Sequence, residues 1–274
     1  MHIDLDFKNR HVVVFGGTTG INFGIAEAFA AQGANVTVVS RREENVAAAT
    51  EKLRVHGHGV HGACADVRDF DSVGRALAES VAAYGPIDVL VSGAAGNFFA
   101  QAKNMSSNGF KAVIDIDLLG TFHVMRQAHE HLRKPGAAVI NITAPQSTIP
   151  MRYQSHACAA KAGVDQLTRV LALEWGTDGI RINAISPGPI DGTEGVKRLM
   201  AQSDAEREQA TNMVPLQRLG TLEDIANLAL FLASPYGSYI SGAVIPCDGG
   251  GALESVKPVL EATGRLAEAQ ARST

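Results

Sequence analysis

The stretch His11-Val-Val-Val-Phe-Gly-Gly-Thr-Thr-Gly20 joins a run of β-branched and aromatic residues to a glycine-rich turn, and an apolar segment continues to Gln32. This order predicts a strand, a tight turn and a helix. Glycines in the turn let the backbone approach a pyrophosphate, and the helix that opens near Gly20 offers it free N–H groups. Such turns use glycine for structural reasons too. The nucleotide interpretation predicts contacts from Gly16, Thr18, Thr19, Gly20 and Ile21.

The next β-like run, Asn35-Val-Thr-Val-Val-Ser40, ends in two arginines, Arg41 and Arg42. A site selective for NAD usually places an acidic residue on the ribose hydroxyls here, whereas two guanidinium groups suit a 2′-phosphate. Alternatively, both arginines only solvate the start of a helix near Glu43. Because they follow the glycine turn at the right separation, we predict that the cofactor is NADP(H).

Seven β-like runs recur along the chain with helical patterns between them, and no linker, repeat or low-complexity tract interrupts them. This alternation predicts an α/β fold, a doubly wound seven-stranded parallel sheet (Rossmann fold), in a single domain over residues 1–274. Ligands of such sheets bind beyond the carboxyl ends of the strands. The predicted strands are 11–15, 35–40, 59–65, 87–92, 137–143, 180–186 and 243–247.

Composition narrows the functional classes. The 274 residues are 46% hydrophobic with a net charge of −4, and no run is apolar enough to cross a bilayer or basic enough to indicate nucleic acid. Three widely spaced cysteines favour reduced thiols, and we find neither a signal peptide nor a Ser-Lys-Leu-type terminus, so we expect a cytoplasmic protein. The histidines at 56, 58 and 61 have no Cys, Asp or Glu beside them, and we expect no metal site.

Several segments that follow strands form an ordered set. They are Ala65-Asp-Val67, Ser92-Gly-Ala-Ala-Gly-Asn-Phe98, Asn141-Ile-Thr-Ala144 and Pro187-Gly-Pro-Ile190, together with the Ala157-Cys-Ala-Ala-Lys-Ala-Gly163 stretch. With the glycine turn and the late blocks 218–226 and 239–250, this set resembles the short-chain dehydrogenase/reductase family across nearly the whole chain.

The resemblance implies cofactor contacts one residue at a time. The Asp66 carboxylate and the Val67 backbone would hold the adenine, Ile190 and Thr193 would contact the nicotinamide end, and Lys161 would hydrogen-bond its ribose. Ala94 and Pro187 would complete the cofactor site. Each has a structural alternative: Asp66 as a turn cap, Thr193 as part of a loop, Lys161 as a surface lysine. Asn22 stands where the family usually has a third glycine, so we expect a slightly remodelled helix entry.

The catalytic positions depart from the family pattern together. Carbonyl reductases of the family use a tyrosine four residues before the lysine, a serine at the end of the fifth strand and an asparagine three residues before a glycine. Ala157, Ala144 and Asp117 stand there. A tyrosine at position 157 would share a helix face with Lys161 and protonate a substrate oxygen. A methyl group cannot, and loss of a general acid costs ~10²- to 10⁴-fold in rate.

One branch of the family reduces a conjugated carbon–carbon double bond instead, and the sequence resembles it: the 2,4-dienoyl-CoA reductases, particularly the peroxisomal type. The similarity lies in the segments 94–98, 115–122, 141–144, 156–161 and 187–195. It implies an acyl-CoA substrate and catalytic roles for Asp117 and Lys161. An ammonium neighbour favours the ionised carboxylate, so we expect Asp117 to orient a water and the proton to come from solvent. Backbone N–H groups or a water would hold the thioester oxygen.

The expected substrate region surrounds this site. Phe98 and Phe99 would line an acyl slot, although aromatics after a strand more often belong to the core. Arg152 and Arg198 would meet the coenzyme A phosphates, although surface cations are usually scattered. Asn97 is the remaining residue that we expect to contact the substrate. We expect a lid at about 188–213 and a C-terminal tail at about 252–274.

Two other functions stay open from the sequence. A carbonyl reductase for a 3-oxoacyl thioester would need Tyr153 or His156 as a displaced acid, and a catalytically silent NADPH-binding regulator would explain both alanines. The family resemblance also implies a homotetramer formed through 112–132 and 163–175. Apolar residues at helical spacing in the second range fit a buried helix face, but they do not distinguish an interface from the core. These residues are Val164, Leu167, Leu171 and Trp175.

Overall fold

The structure is a computed structural model that describes residues 5–194, 196 and 203–256. Arg198 lies outside the described residues, as do the middle of the expected lid and residues 257–274 of the expected tail. Within the lid, Ile190 forms a parallel bridge with Gly220. No helix in these described ranges has the length and apolar character needed to cross a membrane.

Seven parallel strands form one sheet in the order β3-β2-β1-β4-β5-β6-β7, which confirms the predicted fold. The chain reverses direction across the sheet between β1 and β4. Three successive valines of β1, Val12, Val13 and Val14, are fully buried, as a central strand covered on both faces requires. The strands are β1 His11–Phe15, β2 Asn35–Ser40, β3 Val60–Cys64, β4 Val89–Ser92, β5 Ala138–Ile142, β6 Arg181–Pro187 and β7 Val244–Cys247.

Helices cover both faces of this sheet. One core packs α1, α2 and α8 against the sheet around Ile25, Phe29 and Ile225, and the other packs α3, α5 and α6 around Leu77 and Met125. The helices are α1 Gly20–Ala31, α2 Glu43–Leu53, α3 Phe70–Tyr84, α4 Ser107–Val113, α5 Gly120–Ala128, α6 Ser155–Trp175, α7 Asp204–Asn212 and α8 Leu222–Ala233. Short 3₁₀ segments are Arg54–His56, Ala102–Asn104, His129–His131, Pro145–Ser147, Gly176–Asp178, Pro235–Gly237 and Gly251–Val256.

A π-helical segment, Ile114–Leu119, joins α4 to α5 and contains Asp117. The hydroxyl of Thr121 donates a hydrogen bond of 2.6 Å to the Asp117 carbonyl within this wider turn. Segments of this kind are rare and are frequent at functional sites. Sequence periodicity does not reveal this one. The Asp117 side chain is only 2% exposed, so the segment holds a carboxylate inside the protein.

Candidate active site

The predicted site residues gather at the carboxyl ends of the central strands, beside the point where strand order reverses between β1 and β4. A cleft of 270 Å³ lies there between the glycine turn, the arginines after β2 and the segment after β4. A larger hollow of 560 Å³ lies at the amino ends of the strands, among Arg10, Asp88 and Arg181, and includes none of the predicted residues. The smaller cleft is lined by predicted cofactor residues of the glycine turn, by Arg41 and Arg42, and by Asp66, Val67 and Ala94.

The glycine turn has the geometry of an anion site. Gly16 and Gly20 have φ values of 74° and 58°, and a Cβ at Gly16 would lie 3.0 Å from the Ala94 nitrogen. The side chain of Thr19, the residue before α1, makes no capping hydrogen bond, and the first turn of the helix has no acidic residue. The free N–H groups at this helix start are therefore available to a pyrophosphate.

Asn22 occupies the position of the missing third glycine without displacing the helix, which still begins at Gly20. Its Nδ2 donates a hydrogen bond of 2.8 Å to the Gly93 carbonyl. A Cβ at Gly93 would come within 2.2 Å of the Asn22 amide. The residue thus ties the start of α1 to the segment after β4, a contact that the sequence did not predict.

The adenosine end of the cleft combines two exposed arginines with a carboxylate that is already hydrogen-bonded within the protein. Arg41 and Arg42 are exposed at the rim, and neither forms an ion pair with another described residue. Asp66 is held by hydrogen bonds from the Arg68 side chain and backbone, and these keep the pKa of Asp66 below its ordinary value. Val67 is buried, with its carbonyl oxygen 2.8 Å from His123 Nδ1.

Asp117 and Lys161 meet at the inner end of the site. Lys161 Nζ lies 3.2 Å from Asp117 Oδ2 and donates a hydrogen bond of 3.1 Å to the Ile142 carbonyl. The Gly96 N–H donates a hydrogen bond of 2.8 Å to Asp117 Oδ1. The lysine and aspartate side chains are 9% and 2% exposed, respectively. Lys161 is therefore not a surface lysine.

The positions of the missing acid and the candidates for a displaced acid differ in burial. Ala157 is 4% exposed one turn before Lys161, and Ala144 follows β5. His156 is completely buried, and neither ring nitrogen has a hydrogen-bond partner among the described residues. Tyr153 is half exposed in the loop before α6, where it has a φ of 66°.

The segment after β4 carries the expected substrate residues. The Phe98 ring packs edge-on against His156 with 4.4 Å between ring centroids, and Phe98 and Phe99 are 41% and 52% exposed. Both aromatics thus remain largely outside the core. Asn97 Nδ2 donates a hydrogen bond of 2.6 Å to Gln154 Oε1. Arg152 is exposed nearby in the loop before α6.

The segment after β6 carries the cofactor residues predicted for the nicotinamide end. Pro187 ends that strand, and Ile190 is 2% exposed in its bridge to Gly220. The Thr193 hydroxyl donates a hydrogen bond of 2.7 Å to the Ile190 carbonyl. This local bond fixes the loop as it leaves the sheet.

The sequence missed three features of the site. The Gly96 N–H on Asp117 and the π-helical segment both depend on backbone geometry, which residue types do not record. The third feature is a pair of glutamine amides, Gln146 and Gln154, joined by a hydrogen bond of 3.1 Å. Both lie in the connection between β5 and α6, Gln146 in the 3₁₀ segment Pro145–Ser147 and Gln154 directly before α6. Their polar character next to predicted site segments is a usable signal.

Comparisons with known proteins identify the family. The family model described as "Enoyl-(Acyl carrier protein) reductase" matches residues 16–251. The chain belongs to the short-chain dehydrogenase/reductase family. This oxidoreductase family and the shape of the cleft imply a nicotinamide cofactor, and the residues described above fit one.

Individual relatives of this short-chain dehydrogenase/reductase cover most of its length. It is 41% identical to the rat "Peroxisomal 2,4-dienoyl-CoA reductase [(3E)-enoyl-CoA-producing]", covering 97% of this chain and 90% of the relative. It is 39% identical to the Bacillus subtilis "Probable 2,4-dienoyl-CoA reductase [(2E)-enoyl-CoA-producing]", with coverage of 89% and 96%. The Pseudomonas aeruginosa RhlG/NADP complex superposes with a TM-score of 0.84 at 29% identity, with coverage of 92% and 100%.

Proposed function

We propose that this protein is an NADPH-dependent reductase of conjugated double bonds in acyl-CoA thioesters, with 2,4-dienoyl-CoA as substrate. One observation carries the proposal: the lysine of the site faces the buried carboxylate of Asp117 at 3.2 Å, and alanine stands one turn before it. This arrangement places a buried charge pair in the site, whereas position 157 offers no hydroxyl to a ketone oxygen. The names of the relatives support the same substrate class.

The choice of NADPH rests on the adenosine end of the cleft. Arg41 and Arg42 lie at its rim without acidic partners among the described residues. A 2′-phosphate brings about two negative charges and would form charge-assisted hydrogen bonds with them. Asp66, by contrast, is already paired with Arg68, so its contact with adenine would use the oxygen lone pairs that Arg68 leaves free.

A bound reduced nicotinamide would supply a hydride for the δ-carbon of the dienoyl thioester, whose electrons would move through the conjugated system to the thioester oxygen as a dienolate. Lys161 would hold the nicotinamide ribose and place positive charge near this anion. A water held by Asp117 and Lys161 then gives a proton to the α-carbon, and solvent replaces it. The product is a 3-enoyl thioester.

The displaced-acid alternative finds little support. His156 is enclosed by protein, including Phe98, and Tyr153 precedes the first residue of α6, Ser155. Neither side chain shares the helix turn that would direct it at a carbonyl oxygen beside Lys161. Reduction at carbon needs no such acid.

The assembly and surroundings complete the proposal. We propose a homotetramer built through the helices near 112–132 and 163–175. Val164 and Leu171 belong to the core of the protein, but other large apolar side chains of these helices remain exposed: Leu119, Phe122, Val170 and Leu173. Arg152, with Arg198, would meet the coenzyme A phosphates, and the segment 188–213 would close over the acyl chain. All three cysteines are free, which fits the predicted cytoplasm, although several relatives are named peroxisomal.

The decisive experiment mixes the purified protein with NADPH and trans,trans-2,4-hexadienoyl-CoA and follows nicotinamide absorbance, with acetoacetyl-CoA in a parallel reaction. We expect turnover of the dienoyl thioester alone, with a 3-enoyl product. Turnover of the ketone alone would contradict the proposal and require a displaced acid. Cofactor binding without turnover of either would favour the silent NADPH-binding regulator.

A further inference from the structure

Three side-chain amides converge beside the catalytic pair. Gln154 Oε1 accepts one hydrogen bond from Asn97 Nδ2 at 2.6 Å and a second from Gln146 Nε2 at 3.1 Å. Gln154 is 7% exposed directly before α6, whereas Asn97 is exposed and Gln146 is partly exposed. One buried acceptor therefore fixes the orientation of two accessible amides and brings their NH₂ groups together.

Each NH₂ group has two N–H bonds, and only one is used in this cluster. Among the residues that the structure describes, the second N–H of Asn97 and that of Gln146 have no acceptor. Two accessible donors that are held in place and lack an acceptor have the composition of an oxyanion-binding site. Holding them in advance is what makes such donors effective, because no reorganisation is needed during the reaction.

The cluster and the catalytic pair are built on the same three segments. Gly96, whose N–H holds the Asp117 carboxylate, directly precedes Asn97. Gln146 follows the strand whose Ile142 carbonyl holds Lys161, and Gln154 leads into the helix that carries Lys161. We therefore expect a substrate bound beside the pair to reach these amides with its polar end.

We infer that Asn97 and Gln146 bind the thioester oxygen and stabilise the dienolate, and that Gln154 is a positioning residue for both. The inference rests on the proposed function and replaces the backbone or water donors expected from the sequence. When hydride reaches the δ-carbon, negative charge grows on the thioester oxygen and both N–H bonds strengthen. The oxygen takes no proton, and the electron pair returns to the α-carbon when that atom is protonated.

The test uses two donor variants, Asn97→Leu and Gln146→Met, which keep the side-chain size but remove the N–H donors. It also uses the positioning variant Gln154→Leu. Gln32→Leu, at an exposed glutamine far from the site, is the control. Turnover of 2,4-hexadienoyl-CoA gives kcat, and the absorption band of 5-phenyl-2,4-pentadienoyl-CoA bound with NADP⁺ reports polarisation of its carbonyl. We expect each donor variant to lose ~10²- to 10³-fold in kcat. We also expect the red shift of the bound chromophore to be lost, with NADPH affinity and thermal stability kept.

Gln154→Leu should weaken the spectral shift as well, which a purely structural role would not require. If Gln154→Leu, at the buried position, unfolds the protein, Asn97→Leu still tests the inference, because Asn97 is exposed and its replacement disturbs the fold least. Donor variants that keep both wild-type kcat and the red shift would overturn the inference while the wild-type enzyme still reduces dienoyl-CoA. If the wild-type protein itself turns over no dienoyl-CoA, the proposed function fails and the inference falls with it.

Discussion

Replacing Asp117 with asparagine is the sharpest test of the site. The substitution keeps the side-chain shape and the acceptor for the Gly96 N–H but removes the charge 3.2 Å from Lys161 Nζ. At an effective dielectric constant of about 20, that pair attracts by roughly 5 kcal/mol. Removing one partner of a buried pair costs about 3–5 kcal/mol, because the remaining charge stays desolvated.

Two assays follow from this magnitude. Urea unfolding monitored by circular dichroism should give a free energy of unfolding lower by about 3–5 kcal/mol. Turnover of 2,4-hexadienoyl-CoA should fall by ~10²- to 10⁴-fold, because the water that protonates carbon is no longer held. NADPH binding, followed by nicotinamide fluorescence, should persist, since Lys161 remains.

Asp115→Asn is the matched control on the same π-helical segment. Asp115 pairs with Lys111 at the surface, where the two side chains are 22% and 68% exposed. Exposed pairs contribute at most about 1 kcal/mol, so we expect wild-type turnover and nearly unchanged unfolding. If Asp117→Asn behaved like this control in both assays, the assignment of Asp117 to the reaction would be wrong.

Three further predictions address the cofactor, the assembly and the stability. Arg41→Gln with Arg42→Gln should raise the KM for NADPH by ~10- to 100-fold, as lost charge-assisted hydrogen bonds imply, and leave the KM for NADH nearly unchanged; equal losses for both cofactors would contradict 2′-phosphate recognition. Leu173→Glu, at a side chain 83% exposed, should reduce the mass found by light scattering, and an unchanged tetramer would exclude that helix from the interface. Burial raises the pKa of Asp88, but hydrogen bonds from Arg133, the His11 N–H and Arg10 outweigh it and leave this pKa lowered. Asp88 therefore stabilises the fold above its unfolded pKa of about 3.9, and this stabilisation is lost as the pH falls further. We expect Asp88→Asn to flatten the acid side of the curve of unfolding free energy against pH.

The sequence by itself determined the strands, the start of the first helix and the family resemblance. β-branched runs, glycine turns and helical spacing are local patterns, so all seven strands and the helix start at Gly20 could be predicted. The absence of a tyrosine at position 157 is also a local fact, and together with the family resemblance it predicts carbon–carbon reduction. Local patterns succeed here because a parallel sheet buried on both faces leaves few alternatives for each segment.

Only the tertiary structure decided which of these residues meet. Asp117 and Lys161 come from different helices, and their separation depends on a π-helical turn that no residue type marks. The hydrogen bond between the Gln146 and Gln154 amides depends on how the single connection between β5 and α6 folds back on itself, and a spacing of eight residues does not fix that geometry. His156 is a plausible acid in the sequence, yet packing encloses it. Spacing along a chain fixes the face of a helix or strand, whereas distances between elements are set by packing.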